Sequence, residues 1–434
     1  MSHTALSNPM PSSSAANSEN QQSLAVIGAG VIGLCTALQA QKQGYQVTLI
    51  DKELPGKGAS FGNAGYLATE LIDPLATVKT IKAAPRMWLS PRGPLCLPLN
   101  HLFNILPWLK RFLVAASPSK AEHSRDALIQ LNRESIPAWY RCLNQIDAKE
   151  EIVESGYLLV WESPERKEEA REHGRYMAQF NIPCEYVEGH RLAELEPELS
   201  QTLSHALYFP QACRVKEPYQ LCQRLFEAFE QQGGEFLQTS VQDIQPDENK
   251  ACVHLDQEKR IFDKSIICTG AWSKQLLAKV GLKVPLEAER GYHITAADQA
   301  HRLRHPIGSA ERRFVITPLD SGLRAVGMTE LGGLKRGPIV RRFNVLKHHT
   351  QKLLPGLISK KQPVHYENWM GHRPTLPDSL PVIDQHPDHP QLLFAFGNQH
   401  LGLTQAAATA ELILSIAQEQ TSFMPTHYFS VSRF

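Results

Sequence analysis

The amino-acid sequence predicts a two-domain protein of α/β (α+β overall) architecture, in which a domain built on a parallel sheet is interrupted by a domain built on an antiparallel sheet. The 434 residues are too many for one core, since single hydrophobic cores stop growing at roughly 250 to 300 residues. The chain opens with a strand, helix, strand unit, and its middle contains strands that alternate apolar and polar residues. The first pattern is typical of a parallel sheet and the second of an antiparallel one.

The opening unit is the best defined part of the pattern. Leu24 to Ile27 is a short apolar strand, Leu34 to Gln43 is helical, and Gly44 ends that helix. A second strand, Gln46 to Ile50, is followed directly by Asp51. This arrangement predicts the first half of a Rossmann-type domain.

After Ala68 the pattern loosens into a proline-rich region, where the second domain is predicted to begin. The next predicted elements are helices at 135–144 and 164–180 and a strand at 156–161. A helix at 217–232 and strands at 235–244, 251–255 and 261–267 then predict a return to the first domain. The antiparallel domain is completed by strands at 291–294, 314–317 and 323–327. A strand at 392–395 and a helix at about 403–418 close the chain.

These elements place the domain boundaries. We assign residues 23–75, 214–275 and 366–434 to the parallel-sheet domain and residues 76–213 and 276–365 to the antiparallel-sheet domain. Residues 1–22 are rich in Ser, Asn and Gln and lack the basic start and apolar run of a secretory signal. They are predicted to be a disordered tail.

Composition excludes several classes of function. The chain has 45 basic and 44 acidic residues, which leaves no excess positive charge of the kind that attracts nucleic acid. Its eight cysteines are scattered without a C-x-x-C pair, so we predict neither disulfides nor a metal site. Such cysteine usage suits a reducing compartment, and we expect a cytoplasmic protein.

One apolar segment leaves a choice open. No run of about 18 apolar residues predicts a membrane-spanning helix. Pro94 to Ala116, however, is apolar, with Phe103, Trp108 and Phe112 near helical spacing and with Lys110 and Arg111 within it. It is expected either to pack over the second domain or to touch the cytoplasmic face of a membrane as a peripheral element.

The turn between the first strand and helix reads Gly28-Ala29-Gly30-Val31-Ile32-Gly33. In this context the first glycine permits a tight turn, the second lets the backbone approach a pyrophosphate, and the third lets helix and strand pack closely. The helix N-terminus attracts the phosphate charge. Asp51, followed by Lys52, stands where a carboxylate accepts the ribose 2′-hydroxyl. The pattern therefore favours a binding site for a dinucleotide, FAD or NAD, over an ordinary tight turn between strand and helix.

Four further blocks follow this motif in a particular order: Gly58 to Gly65, Cys268 to Trp272, Gly371-His372-Arg373-Pro374, and Gly397 to Gly402. Together they resemble the D-amino-acid oxidase and dehydrogenase superfamily of FAD-dependent oxidoreductases, over nearly the whole chain after the tail. Ser60-Phe61-Gly62-Asn63-Ala64-Gly65 is more similar to bacterial D-amino-acid dehydrogenases than to the oxidases. The C-terminal blocks resemble the D-hydroxyproline dehydrogenase group.

The resemblance implies FAD and a set of contacts to it. The flavin would lie along Ser60, Asn63, Ala64 and Gly65, which alone are equally compatible with a surface turn. Val241 would flank the adenine, and Thr269 and Gly270 would lie near the phosphates, the alternative being an ordinary buried strand. The amides of Gly402, Leu403 and Thr404 at a helix start would stabilise negative charge on the reduced ring. Because Gly371 to Ile383 contains no cysteine, the FAD is predicted to be non-covalent.

Three side chains are predicted to contact the substrate. Arg373 would hold the substrate carboxylate by two parallel hydrogen bonds, unless it is a structural partner of Asp378 or Asp384. Tyr292 would add a second carboxylate contact or merely pack. His400 would contact the flavin or the substrate amine, although a lone histidine is often structural.

By the same resemblance the reaction is oxidation of a small D-amino acid, with D-hydroxyproline and D-proline among the candidates. A hydride would pass from the α-carbon to flavin N5 while the amine is neutral. Orientation then supplies much of the rate, and no dedicated base is expected. The electrons would go to a quinone or an electron-transfer chain. The alternatives are a glycine or sarcosine oxidase that uses O₂, and a flavoprotein subunit without its own catalysis.

Overall fold

The computed structural model describes residues 21–358 and 363–434. The tail predicted for residues 1–22 lies outside these ranges except for its last two residues. In the described ranges the helices are α1 (Val31–Lys42), α2 (Val78–Leu89), α3 (Leu102–Ala115), α4 (Pro118–Asn144), α5 (Lys167–Gln179), α6 (Gly189–Leu195), α7 (Pro218–Gln231), α8 (Ser273–Lys279), α9 (Val340–Leu353) and α10 (Gly402–Ala417). None of these helices is both long and apolar enough to cross a membrane.

The strands in the same ranges are β1 (Ser23–Ile27), β2 (Gln46–Asp51), β3 (Tyr66–Leu67), β4 (Leu95–Cys96), β5 (Ile152–Val153), β6 (Tyr157–Trp161), β7 (Glu185–Glu188), β8 (His205–Phe209), β9 (Cys213–Val215), β10 (Glu235–Gln238), β11 (Val241–Asp247), β12 (Lys250–Leu255), β13 (Lys259–Phe262), β14 (Lys264–Ile267), β15 (Glu287–Ala296), β16 (Ile307–Ser309), β17 (Phe314–Leu319), β18 (Gly322–Leu331), β19 (Tyr366–Thr375), β20 (Val382–Gln385) and β21 (Leu392–Phe396).

The first domain is built on a six-stranded sheet of order β10-β2-β1-β14-β21-β20, parallel except for the edge strand β20. Both faces of its central strand are covered. Leu24 and Val26 belong to a core shared with helices α1, α4 and α10. Ala25 and Ile27 point to the other side, into a core shared with the small antiparallel sheet β11-β12-β13. Burial on both faces explains why β1 is apolar throughout rather than alternating.

The second domain is built on a larger sheet of order β19-β15-β18-β17-β16-β6-β8-β7, to which β4 is added beside β18. Most of its pairs are antiparallel, and α9 packs on one face through Leu346 against Ile294 and Ile316. A short sheet, β3-β9-β5, brings together segments on either side of the predicted boundaries. The predicted fold class, a Rossmann-type domain interrupted by an antiparallel-sheet domain, is confirmed.

Two predicted strands are each two strands in the structure. The prediction at 235–244 covers β10, which joins the parallel sheet, and the start of β11, which belongs to the small sheet. The prediction at 261–267 covers β13 and β14, separated at Asp263. The Asp263 carboxylate accepts hydrogen bonds from the backbone and side chain of Ser23 at 2.8 Å. The local sequence pattern does not reveal such a change of sheet, because only one or two residues separate the two strands in each case.

The structure also differs from the predicted domain boundaries. Strand β19 pairs with β15 along its whole length, so residues 366–375 belong to the large sheet rather than to the first domain. Helix α4, predicted only at 135–144, extends back to Pro118 and packs on α10 of the first domain. The indole Nε1 of Trp139 donates to the carbonyl oxygen of Leu403 at 2.9 Å. Boundaries inferred from composition miss these contacts because they depend on pairing between distant segments.

Candidate active site

A cavity of about 1130 Å³ lies between the parallel sheet and the large sheet. Single-ligand pockets usually measure about 300 to 1,000 Å³, so this space suits a large cofactor together with a small substrate. Most of the predicted site residues line it: Gly28, Gly30, Val31, Ile32, Asp51, Lys52, Ser60, Asn63, Ala64, Val241, Thr269, Gly270, Tyr292, Arg373, His400, Gly402 and Leu403. The structure therefore brings together residues from every block that the sequence singled out.

Four predicted residues, Ala29, Gly33, Gly65 and Thr404, are not in the cavity wall but support it. The amide of Ala29 donates to Asp51 at 2.7 Å, and that of Gly65 donates to the Asn63 side chain at 2.9 Å. The Thr404 hydroxyl accepts the amide of Ala68 at 3.0 Å. Their contacts hold the backbone that does line the cavity.

The glycine turn has the geometry that a bound pyrophosphate needs. Gly28 has a φ of 108°, which favours glycine. A methyl group at Gly33 would lie 1.8 Å from the carbonyl oxygen of Gly28, so helix α1 approaches β1 this closely only with glycine there. Gly30 precedes α1 and provides no side-chain cap. The positive end of the helix therefore faces the cavity without a side chain at the cap position, as a dinucleotide phosphate requires, and of its first amides that of Val31 donates to the Ser60 hydroxyl.

Asp51 ends strand β2 at the same part of the cavity. Its two carboxylate oxygens accept the amides of Ala29 at 2.7 Å and Glu53 at 3.0 Å. Burial raises the pKa of this carboxyl group, although both amide bonds act to lower it. The Lys52 ammonium lies 5.1 Å from the centre of the Trp272 ring. Together with Val241, these residues form one end of the cavity, where the sequence predicts the adenosine half of the dinucleotide.

The segment Ser60 to Gly65 crosses the cavity and is held at both ends. At its start, the Ser60 hydroxyl accepts the amide of Val31 at 2.9 Å, which joins it to the first turn of α1. Further along, Arg324 donates to the carbonyl oxygens of Phe61 at 3.3 Å and Asn63 at 3.0 Å. Arg324 belongs to β18, so the second domain fixes a loop of the first.

Two aromatic side chains of the large sheet also contact this loop. Nδ1 of His293 lies 3.0 Å from the carbonyl oxygen of Gly62, and burial lowers the pKa of that imidazole to about 3. The Trp369 ring stacks on His293 with centroids 5.1 Å apart. A methyl group at Gly62 would lie 2.0 Å from the Trp369 ring. Sequence analysis missed these two residues because they lie more than 200 positions from the loop.

Arg373 lies in the cavity wall on β19, opposite Glu289 on β15. Its Nη1 donates to Oε1 of Glu289 at 2.8 Å and to the carbonyl oxygen of Met328 at 3.1 Å. The Glu289 carboxylate also accepts the hydroxyls of Thr329 and Thr375. Glycine at 291 leaves room for the guanidinium, since a methyl group there would lie 2.4 Å from Cζ of Arg373.

The two aspartates considered as structural partners of Arg373 have other contacts. Asp378 forms an ion pair with Arg433 at 2.7 Å. Asp384 accepts the Ser430 hydroxyl and the Val431 amide, each at 2.8 Å. The partner of Arg373 is Glu289, which sequence reasoning did not identify.

His400 shares the electrostatic environment of this pair. Burial lowers the pKa of its imidazole to about 4, with Glu289 acting to raise the pKa and Arg373 acting to lower it. His400 is therefore uncharged at neutral pH. A neutral imidazole in the cavity wall can accept or donate a hydrogen bond without repelling the guanidinium beside it.

Tyr292 has a fully buried side chain whose hydroxyl is already engaged. It donates to Oε2 of Glu330 and accepts the amide of Ile339 at 3.2 Å. Glu330 in turn forms a buried ion pair with Arg290 at 2.7 Å. These contacts connect the ring to the connection before α9. Its predicted contact with the substrate stays a prediction, and would require the hydroxyl to give up or share a present partner.

Glu70 is a cavity residue that sequence reasoning missed. It is 7% exposed, and its Oε2 accepts the Tyr66 hydroxyl at 2.6 Å, whereas Oε1 has no hydrogen-bond partner among the described residues. Burial raises the pKa of the carboxyl group to about 7. Tyr66 stacks on Tyr157 with centroids 4.4 Å apart. The signal in the sequence was an acid five residues after Gly65 in an otherwise apolar stretch.

The start of α10 completes the cavity wall. Gly402 and Leu403 line it, and no side chain caps the helix N-terminus. The glycine turn, Asp51, the Ser60 to Gly65 loop and the Arg373–Glu289 pair border one cavity, an arrangement that suits a dinucleotide-dependent enzyme. More particularly, the chain belongs to the DAO family of FAD-dependent oxidoreductases, whose sequence profile matches residues 23–416. The cofactor is therefore FAD.

Relatives and solved structures agree with this assignment. A D-amino-acid oxidase of Bradyrhizobium diazoefficiens is 29% identical over 95% of this chain and 98% of its own. A D-amino acid dehydrogenase of Vibrio vulnificus is 26% identical over 92% and 97%. The crystal structure of glycine oxidase from Geobacillus kaustophilus superposes with a TM-score of 0.74 at 20% identity, over 95% of this chain and 100% of that one. The protein is thus an FAD-dependent oxidoreductase.

Proposed function

We propose that this protein is a D-amino-acid dehydrogenase that oxidises a small D-amino acid, with D-hydroxyproline and D-proline among the candidates, to the imino acid. The observation that carries the proposal is the position of Arg373, a guanidinium held by Glu289 in the wall of the cavity that also contains the dinucleotide turn. The relatives named D-amino-acid oxidase and D-amino acid dehydrogenase support the choice of a D-amino acid.

Arg373 would bind and orient the substrate. Among the described residues only its Nη1 has protein partners, Glu289 and Met328. Nε and Nη2 are thus the donors that remain for two parallel hydrogen bonds to a carboxylate. That fork fixes the α-carbon, and positioning of this kind contributes several kcal/mol to catalysis. FAD, when bound, supplies the acceptor for the hydride that leaves the α-carbon.

The substrate amine must be neutral when the hydride leaves. His400, uncharged at neutral pH, would accept a hydrogen bond from it without adding a positive charge. Oxidation of the C–N unit releases two electrons and two protons. We propose that a quinone takes them up and leaves as quinol, and that the protein works at the cytoplasmic face of a membrane. Binding of FAD is proposed to be non-covalent.

An amine oxidase that reduces O₂ to hydrogen peroxide is the second candidate, because one relative is named an oxidase. An anaerobic titration followed by oxygen tests both. We expect a D-amino acid to bleach the visible flavin absorbance, and its L-enantiomer to leave it unchanged. Slow return of colour in air that an added quinone accelerates supports the dehydrogenase, and rapid return with stoichiometric peroxide supports the oxidase. A flavin that no amino acid bleaches would overturn the proposal.

A further inference from the structure

Exposed apolar side chains are concentrated on one part of the molecule. Of the fourteen large hydrophobic residues that are exposed among the described residues, nine lie between Leu71 and Val114. The most exposed are Phe103 at 83%, Leu89 at 74% and Leu99 at 72%. We call the outward side of α2, α3 and their connection the 71–114 face. Soluble monomeric proteins rarely expose so many neighbouring apolar side chains unless a binding partner covers them.

The charge of this region is equally uneven. Residues 74–121 contain seven lysines and arginines and no aspartate or glutamate, in a chain whose total charges nearly balance. The seven are Lys79, Lys82, Arg86, Arg92, Lys110, Arg111 and Lys120. Among the described residues only Lys79 has an acidic partner, Glu169 at 3.8 Å. The 71–114 face therefore combines apolar side chains with an excess of positive charge, of which only Lys79 has an acidic partner among the described residues.

Helices α2 and α3 each carry apolar residues on two sides, one that faces the protein and one that faces outward. In α3, Ile105, Trp108 and Ala115 are buried, whereas Phe103 and Leu106 point outward near Lys110. The outward residues recur at spacings of three and four, which places them on one side of the helix. Helix α2 has no buried residue at all. Its Ile81, Ala84 and Met87 border the cavity, while Val78, Lys82 and Leu89 face outward.

We infer that the 71–114 face is the docking surface for an anionic lipid bilayer. Apolar residues of an interfacial helix insert into the headgroup boundary, and lysine and arginine beside them bind anionic headgroups. A second copy of the chain is a poor occupant of the same face. In a two-fold dimer the face would meet itself, and its six lysines and arginines between residues 71 and 114 would oppose the same six of the other copy.

The cavity reaches this face. Leu71 and Leu113 are exposed, at 40% and 56%, and also line the cavity. Between them the wall is formed by apolar side chains of α2 and α3, including Met87 and Phe112. Docking would therefore place the apolar opening of the cavity against the lipid. A quinone dissolved in the bilayer would enter the cavity there. This last step rests on the proposed function, whereas the docking itself does not.

Flotation of the FAD-loaded protein with vesicles tests the docking without any turnover. We expect binding to phosphatidylglycerol vesicles, little binding to phosphatidylcholine vesicles, and release by high salt. The Leu99→Ser/Phe103→Ser and Lys110→Glu/Arg111→Glu variants should each weaken binding by about tenfold or more, since each basic residue contributes roughly 1 kcal/mol near an anionic surface. None of these four residues lines the cavity.

Matched controls come from exposed residues elsewhere. Ile261→Ser/Phe423→Ser and Lys259→Glu/Lys283→Glu change as much polarity and charge, and should leave binding unchanged. Equal loss in the controls, or no binding of the parent protein to anionic vesicles, would overturn the inference. So would a dimer in solution that the Leu99→Ser/Phe103→Ser variant dissociates, because the face would then be a contact between copies.

Entry of a quinone through this opening is tested with two electron acceptors. The Leu99→Ser/Phe103→Ser variant should keep its rate with a water-soluble dye and lose at least tenfold with a long-chain quinone in vesicles. Equal rates of variant and parent with the vesicle quinone would overturn entry through this face. A parent protein that binds vesicles but is bleached by no amino acid would instead contradict the proposed function and leave the docking intact.

Discussion

Arg373 and Glu289 face each other across neighbouring strands, with a distance of 2.8 Å between the guanidinium Nη1 and the carboxylate Oε1. The carboxylate is buried and tied to two threonine hydroxyls. Because one edge of the guanidinium is occupied in this way, its remaining donors have a fixed direction. A preset direction of this kind is what a residue that orients a substrate needs.

Replacement of Arg373 tests this arrangement. Arg373→Ala should lower kcat/KM by roughly 100-fold or more, since a hydrogen bond to a charged group contributes about 1.5 to 3 kcal/mol and two would be lost. Arg373→Lys should recover only part of the loss because an amine lacks the planar fork. Steady-state kinetics at matched FAD content provide the measurement. Unchanged kinetics of the alanine variant would remove Arg373 from the site.

Gly291 provides an independent test of the same geometry. In Gly291→Ala the new methyl group would lie 2.4 Å from Cζ of Arg373, so the guanidinium must move. We expect kcat/KM to fall at least tenfold while FAD content stays the same, because misplacement of about 1 Å can cost 100-fold. Gly337→Ala is the control, since no atom lies within 4 Å of a methyl group there. Equal effects of both variants would contradict the positioning argument.

FAD should be released by acid precipitation. The chain has no cysteine between Gly371 and Ile383, and all eight of its cysteines lie elsewhere as free thiols. The prediction is a yellow supernatant and a colourless pellet, measured by absorbance of both fractions. A pellet that keeps its colour after denaturation would show a covalent bond and contradict the prediction.

Glu70 should make stability depend on pH. Burial raises the pKa of its carboxyl group from 4.5 to about 7, so the folded protein holds this proton more tightly than the unfolded chain. The contribution to stability is then fully present below pH 4.5 and is lost as the pH rises through about 7. The loss at higher pH is on the order of 3 kcal/mol, by linkage.

The Glu70→Gln variant isolates this effect. Glutamine keeps an acceptor for the Tyr66 hydroxyl but carries no charge, so the variant should be the more stable protein at pH 8 and equal to the parent near pH 4. Thermal unfolding of the FAD-loaded protein at both values gives the comparison, with the exposed Glu165→Gln as control. A stability difference between variant and parent that does not change with pH would contradict the raised pKa of the Glu70 carboxyl group.

Local signals in the sequence were sufficient for the cofactor half of the site. The turn Gly28 to Gly33 and Asp51 lie within one strand, helix, strand unit, so their chemistry and spacing could be predicted together. Arg373 was predicted to bind the substrate carboxylate; it lies in the cavity wall, but its partner Glu289 was not predicted. The choice between Asp378 and Glu289 depends on the register of β19 against β15, which joins segments more than 80 residues apart.

The same reason explains what was missed elsewhere. Strands β10 and β11 are separated by only two residues in the sequence, yet they enter different sheets. Trp369 and His293 contact Gly62 only after the large sheet has formed. Glu70 carried a local signal, but its burial beside Tyr66 and Tyr157 depends on tertiary packing. The periodicity of apolar residues predicts helices and strands. Which side chains meet across the two domains depends on the order in which the strands pair, and periodicity does not reveal that order.

The loop Ser60 to Gly65 has a consequence for biogenesis. It is synthesised early, yet the residues that immobilise it, His293, Arg324 and Trp369, leave the ribosome some 230 to 310 positions later. A nascent chain can form the glycine turn long before the loop predicted to contact the flavin ring is held in place. Coenzyme capture therefore follows the maturation of the C-terminal half, and truncated translation products should accumulate without colour.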